Sequence, residues 1–239
     1  MTTPLPAFDV PPYRLSGVVL GALLNHAPEL AALGDAVHLP PYKAPPRAPV
    51  LQVKPRNTLA ADGAAVVVPA GVAALAVGAS LGIVMARTAC RVPVEQALAF
   101  VAGYTIVADV SVAVADPTNA PAGAHYRPSV RLKARDGFCP IGPRVVPAAQ
   151  VAAPDALTVT VSVDGAMAQR TTTGERVRSV AQLIADVTEF STLNAGDVLM
   201  LGVAAGSPRA RAGQRVAIAI EGLGTLNCHL VAETQGSAA

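Results

Sequence analysis

GAAVVVPAGVAALAVGASLGIVMA, residues 63–86, is a run of 24 residues without Asp, Glu, Lys, Arg or His. That is long enough to cross a bilayer as a helix. Its residue types point elsewhere. Gly63, Gly71, Gly78, Gly82 and Pro69 interrupt any helix, while Val66 to Val68, Val72 and Val77 are β-branched and favour strands. The flanking sequence has no second hydrophobic span and no aromatic belt. The run therefore reads as two buried strands separated by a turn.

The rest of the chain has the same character. Of the 239 residues 52% are hydrophobic, yet aromatics supply only 3% and Trp is absent, so Ala and Val dominate and the expectation is close-packed sheets of small side chains. The length suits one large domain or two small ones, and we read one, over residues 17–233. Before it, residues 1–16 form a proline-bearing extended arm; after it, residues 234–239 form a frayed tail. A net charge of +2 gives no field that would draw nucleic acid or an anionic membrane, so neither is an expected partner. Cys90, Cys139 and Cys228 are odd in number and widely spaced, which fits a reducing cytoplasm, and the N-terminus has no signal-peptide pattern.

Working outward, GVVLGALL (17–24) predicts a strand and HAPELAALGDAV (26–37) a short helix. Residues 40–49 hold five prolines and form an ordered extended loop or a disordered spacer; the apolar strands on both sides favour order. VLQVK (50–54) is a strand. Pro93 opens a helix with Val94, Ala97, Leu98 and Val101 at helical spacing, closed by Gly103. TIVADVSV (105–112) is a strand carrying Asp109, and residues 115–128 are a mobile loop. LTVTVSVDGAMAQ (157–169) is a hairpin turning at Asp164-Gly165. Ser179 and Gln182 make a capping box for a helix whose inner face is Val180, Leu183, Ile184 and Val187. DVLMLGVAAG, QRVAIAIEG and LGTLNCHLVA complete a chain of strands and Gly turns. The fold class is α+β, β-rich, with a rolled or barrel-like sheet and a few short helices.

Two groups of charges stand out. Arg131, Lys133 and Arg135 are spaced two apart, which on a strand makes one cationic face, suited to an anion or to a solvated edge. Lys54 and Arg56 form a second pair, and without a Gly-rich Lys-Ser or Lys-Thr loop the chemistry suggested is a polycarboxylate pocket rather than a phosphate cradle. Asp109, in an apolar strand, must be paired, hydrogen-bonded or on a metal; an ion pair with Lys133 and a metal-ligand role both remain open. His26, His38, His125 and His229 lack ligand spacing and read as surface or loop residues. No Gly-x-Ser-x-Gly elbow is present.

Five ordered blocks carry a resemblance: YKAPPRAPVLQVKPRNTL (42–59), EQALAFVAGYTIVADVS (95–111), YRPSVRLKARDGFCPIGP (126–143), TLNAGDVLMLG (192–202) and EGLGTLN (221–227). They are similar to the fumarylacetoacetate hydrolase family and, within it, to the N-terminal subunit or half of the isomerase/decarboxylases of 4-hydroxyphenylacetate (homoprotocatechuate) degradation. The resemblance implies a mixed sheet rolled around the active site, a homodimer or a heterodimer with a paralogous isomerase subunit, and decarboxylation of a small oxo-polycarboxylate. It implies Mg2+ or another divalent cation, with Asp109 as third metal carboxylate and Lys133 as active-site lysine; Lys54, Arg56, Arg131 and Arg135 would bind substrate. The departures are as informative. Gly78 and Ser80 stand where the family has two metal-binding glutamates. Asn25 is followed by Glu29 and Ala32 in place of a His and Glu dyad, Ala113 replaces an Arg, and Gly202-Val203-Ala204 replaces a Gly-Thr-Pro loop. Two readings follow: a decarboxylase subunit, or a non-catalytic partner of an intact one.

Overall fold

A computed structural model describes residues 17–40, 43–112 and 129–234. The expected N-terminal arm, the 115–128 loop, His125, Ala113 and the tail beyond residue 234 lie outside the described residues. In chain order the elements are β1 (Val19–Leu23), α1 (Ala27–Ala32), β2 (Val50–Lys54), β3 (Leu59–Ala60), β4 (Ala64–Val68), β5 (Leu75–Met85), β6 (Val101–Val112), α2 (Ser129–Lys133), β7 (Cys139–Pro147), β8 (Thr158–Val163), β9 (Ala166–Thr172), α3 (Val180–Phe190), β10 (Val198–Met200), β11 (Arg209–Ala210), β12 (Arg215–Ile220) and β13 (Gly224–Ala232). Short 3-10 helices cover Gly34–His38 and Val94–Phe100.

Among the described residues the strands form two mixed sheets. The larger runs β2-β1-β10-β5-β6-β7-β3, with β11 also on β5; the smaller runs β4-β13-β12-β8-β9. The pairs β1 with β10, β3 with β7 and β13 with β4 are parallel, and the rest are antiparallel. The larger sheet is strongly curled. Lys54 on β2 and Asp109 on β6 are four strands apart in its order, about 19 Å in a flat sheet at ~4.8 Å per strand, yet their side chains touch.

Glycine makes that curl possible. The registers place Gly21, Gly78, Gly82 and Gly103 on the same, concave face as Lys54 and Asp109. A Cβ on Gly103 would stand 2.3 Å from the Val146 carbonyl oxygen, and one on Gly82 2.6 Å from Val107 Cγ2. Side chains there would force the strands apart. The concave face holds a compact apolar cluster that includes Val19, Val84, Val107, Ile141, Val198 and Met200. On the convex face Val77, Leu81, Ile83, Ile106 and Val110 pack in the main core with Val66, Ile218 and Leu226 of the smaller sheet and Leu183 and Ile184 of α3.

Several sequence expectations hold. The 157–169 hairpin turns at Asp164 and Gly165, both with positive φ (49° and 83°), which an Asp-Gly pair tolerates in a tight two-residue turn. Helix α3 buries Val180, Leu183, Ile184 and Val187, and Ser179 Oγ accepts from the Gln182 amide at 3.2 Å. The capping box is only half formed, because the Gln182 side chain donates to Asp186 Oδ1 at 2.6 Å instead of returning to the cap.

Other expectations are corrected. The 63–86 run does give two strands, but β4 and β5 belong to different sheets, and β4 buries one face while Val67 stays 39% exposed. The segment after Pro93 is a 3-10 helix ending at Phe100; Gly103 lies inside β6, opposite Val84, and is there for close packing rather than as a helix stop. SVRLKARDG is not a strand. Its first five residues form α2, where a two-residue step turns Arg131 and Lys133 to different sides, and Arg135 lies beyond the helix, so the three do not form the cationic strand face expected.

Candidate active site

Asp109 is the centre of the concave face, 4% exposed, with Gly78 directly across from it on β5. Burial leaves a carboxylate needing donors, and three side chains supply them. Lys54 Nζ reaches Oδ1, while Lys133 Nζ (2.8 Å) and Gln52 Nε2 (3.0 Å) both donate to Oδ2. Lys54 and Gln52 come from one face of β2 by the two-residue period of a strand. Lys133 ends α2, and its position is set from the loop after Lys54. Asn57 Nδ2 donates to the Ala134 carbonyl (3.3 Å) and to Asp136 Oδ1 (2.7 Å), and the Asn57 carbonyl accepts from the Gly137 amide (3.0 Å). The side chain of Lys54 is 1% exposed and that of Lys133 29%, so Lys54 is internal and Lys133 faces outward.

Burial by itself would raise the Asp109 pKa, but the Lys54 and Lys133 ammoniums and their hydrogen bonds hold it below the ordinary carboxylate value. Among the described residues, two ammoniums against one carboxylate leave one positive charge in excess on a glycine-lined wall. Cys139 lies in the same cluster; burial pushes its thiol up to about 12, a shift that Lys54 opposes and Asp109 reinforces. It is a packing residue and not a nucleophile.

Above this centre runs the 202–207 loop. Gly202 has φ +107°, and a Cβ there would meet the Ala22 carbonyl oxygen at 3.0 Å. Its amide donates to Ser80 Oγ (3.1 Å) and its carbonyl accepts from Arg176 Nη2 (3.4 Å). Further along, His26 Nδ1 accepts from the Ala205 amide (3.3 Å) and Gln169 Nε2 donates to the Ala205 carbonyl (2.8 Å). Asn25 joins the loop to the 176–178 segment, donating to the Leu201 and Arg178 carbonyls and accepting from the Arg178 amide. His26, expected at the surface or in a loop, lies in the connection between β1 and α1 but is buried, 5% exposed; its Nε2 is 3.6 Å from Glu175.

The divalent cation implied by the resemblance does not fit these residues. Such an ion takes about six oxygen ligands. Both Asp109 oxygens already accept from ammonium or amide donors, Gly78 offers no donor, and the Ser80 hydroxyl is spent on the Gly202 amide and the Leu81 carbonyl. Among the described residues no three His, Cys, Asp or Glu side chains cluster to hold a metal.

Of the residues singled out from sequence, the structure brings together Asp109, Lys54 and Lys133. Arg56 is exposed in a short 3-10 helix, and Arg131 is exposed on α2. Arg135 is half-buried, donating through Nε to the Arg131 carbonyl at 3.0 Å. Gln52 and Asn57 were missed, while Val203 was noted only within the Gly202-Val203-Ala204 departure. The alternation of VLQVK carried a signal for Gln52, two residues before Lys54 and hence on its face.

The pattern of the family described as fumarylacetoacetate (FAA) hydrolase, C-terminal, matches residues 18–231, and the chain belongs to this family. A 4-hydroxyphenylacetate degradation bifunctional isomerase/decarboxylase from Salmonella dublin is 37% identical over 221 residues, which are 92% of this chain and 48% of that protein. The chain spans about half the length of the curated relatives of this kind. A crystal structure of 5-carboxymethyl-2-hydroxymuconate delta-isomerase from Mycobacterium smegmatis superposes with a TM-score of 0.74 at 27% identity, over 92% of this chain and 81% of that one. A fumarylpyruvate hydrolase from Pseudomonas aeruginosa, solved with Mn2+ and pyruvate, shares the fold at a TM-score of 0.78 and 24% identity, over 98% and 97%.

Proposed function

We propose that this chain is the decarboxylase subunit of an aromatic meta-cleavage pathway. It acts on an oxo-polycarboxylate of the 5-oxopent-3-ene-1,2,5-tricarboxylate type and works with a 2-hydroxyhepta-2,4-diene-1,7-dioate isomerase subunit, as a homodimer or heterodimer in the cytoplasm. The 37% identity to an isomerase/decarboxylase supports the pathway. The observation that carries the chemistry is the outward Lys133 ammonium held on buried Asp109, with Lys54 leaving a net positive charge behind it.

A substrate carboxylate is drawn to that excess charge. The scissile carbon-carbon bond then breaks, CO2 leaves, and the electron pair moves through the conjugated system to the oxo oxygen. The enolate so formed is stabilised by Lys133, which can also return a proton to carbon. At an effective dielectric of 20 a unit charge 4 Å away is worth about 4 kcal/mol, or roughly three decades in rate. Asp109 orients Lys133, and Lys54 and Lys133 together keep Asp109 ionised.

The test is CO2 release and diene isomerisation by the purified chain, alone and with its partner subunit, with Mg2+ and with chelator. CO2 release by the chain alone, lowered about 100- to 1,000-fold in Lys133→Ala, is expected. No release by the chain, with full activity in the partner alone, would instead support a catalytically degenerate structural partner. The observation favouring that second reading is the joint replacement of family ligand positions by Gly78 and Ser80.

A further inference from the structure

We propose that Arg176 and His26 form a second anion subsite, which holds the remote carboxylate of the oxo-polycarboxylate substrate. Among the described residues two buried side-chain polar atoms have no hydrogen-bond partner, and they are His26 Nε2 and Arg176 Nε. Leaving a buried donor unpaired is costly, so native proteins keep such groups where a ligand or a water completes them. His26, at the start of α1, and Arg176, ahead of α3, are partners in one antiparallel bridge, so their side chains lie on the same side of it. His26 Nδ1 accepts from the Ala205 amide at 3.3 Å, which leaves Nε2 to carry the N–H.

Arg176 is a cation without a committed partner. Among the described residues no carboxylate forms an ion pair with it; Nη1 donates to the Glu175 carbonyl (3.2 Å) and Nη2 only distantly to the Gly202 carbonyl (3.4 Å). Burial works against its charge, and the Glu175 and Glu29 carboxylates offset that only in part. The Glu175 side chain is 47% exposed and 3.6 Å from His26 Nε2, beyond hydrogen-bonding distance, so that donor stays free. A guanidinium edge beside an imidazole N–H suits a carboxylate, which accepts several charge-assisted hydrogen bonds at once. The pair adjoins the proposed reaction centre through the 202–207 loop. Gly202 meets Arg176 by its carbonyl and Ser80 by its amide, and next to it Val203 borders the space beside Gly78, the register partner of Asp109. Ser80 and Gly78 are two residues apart on β5, about 7 Å. Carboxylates on adjacent carbons cannot bridge that separation, whereas those of a six-carbon oxo diacid, about 6 Å apart and each extended by a hydrogen bond of about 3 Å, reach both ends.

The inference rests on the Lys133 site taking the oxo-acid end of the substrate. The test is calorimetric titration of the full chain with oxalate and with 2-oxoadipate, for wild type, Arg176→Met and Lys133→Ala. Arg176→Met should weaken 2-oxoadipate at least about tenfold more than it weakens oxalate. Equal loss for both ligands, as from a disturbed loop, or no loss for either, overturns the subsite. Lys133→Ala reports on the reaction centre separately: both ligands weaken if the proposed reading is right, and if neither does, that reading fails while the Arg176 selectivity still decides the subsite. Should Arg176→Met fail to fold, the Arg176 Nε–H signal of the wild type, followed by heteronuclear NMR, decides it. That signal should shift with 2-oxoadipate and not with oxalate. A signal that 2-oxoadipate leaves unmoved, as for a donor satisfied by permanent water, overturns the proposal.

Discussion

Replacing Lys54 by Met removes the internal half of the ion pair and keeps the bulk of the side chain. Both partners are almost wholly enclosed, with side-chain exposures of 1% and 2%, so solvent cannot compensate the stranded carboxylate. Breaking a buried pair from one side costs about 3–5 kcal/mol. Here Lys133 and Gln52 still reach Oδ2 while Oδ1 loses its ammonium, so the low end applies, about 3 kcal/mol. For a domain of this size that corresponds to a Tm lower by about 6–12 °C. Lys133→Met, whose side chain is 29% exposed, loses about 1 kcal/mol after discounting for solvent screening. The assay is urea unfolding followed by circular dichroism for wild type, Lys54→Met, Asp109→Asn and the double variant. The double variant is expected to be more stable than the sum of the single losses implies, because it leaves no fully buried charge unpaired; only Lys133, 29% exposed, loses its carboxylate. A Lys54→Met protein within about 0.5 kcal/mol of wild type would refute the reasoning.

The Asp109 pKa is depressed on folding, so its stabilisation is complete above the unfolded value of about 3.9 and is lost as pH falls through the lower folded value. Urea midpoints should therefore fall steeply on acidification below about pH 4, and Asp109→Asn should flatten that fall; an unchanged profile in the variant contradicts the ion-pair assignment. Gly103→Ala places a Cβ 2.3 Å from the Val146 carbonyl oxygen, and thermal melts should show a loss of about 1–3 kcal/mol. Thiol titration of the native protein at mild alkaline pH should find Cys90 reactive and exposed. Cys139 and Cys228, pushed up to about 12 and about 11 chiefly by burial, should react only on unfolding.

Much of the β architecture was legible because its signals are local. The uncharged run at 63–86 has too many glycines and valines for a spanning helix, and no helix among the described residues is long and apolar enough to cross a membrane. Asp164-Gly165 specifies its turn, and Ser179 its cap. The failures are equally physical. Two-residue spacing alone cannot tell strand from helix in SVRLKARDG; Arg, Leu, Lys and Ala are good helix formers, and α2 results. That β4 pairs with β13 rather than β5 depends on residues more than a hundred positions away.

The site shows the same division. An aspartate in an apolar strand announces that it needs a partner, and Lys133 was already a candidate. Lys54 on Asp109 follows only from the curl of the sheet, which brings β2 over β6. The contact of Val203 with the space above Gly78 depends on the path of a loop pinned by Ser80, and no periodicity announces it. The family resemblance located the altered positions, and the geometry explains what their replacements do.

Calorimetric binding of oxalate, a compact mimic of a 2-oxo acid enolate, tests the two-ammonium site most directly. Titrations of wild type and Lys133→Ala are run in chelator and again with added Mg2+. Wild type should bind with the same affinity in both buffers, and Lys133→Ala should bind at least about tenfold more weakly. Binding that disappears in chelator, or that is unchanged by Lys133→Ala, would contradict a carboxylate site built from the protein's own cations.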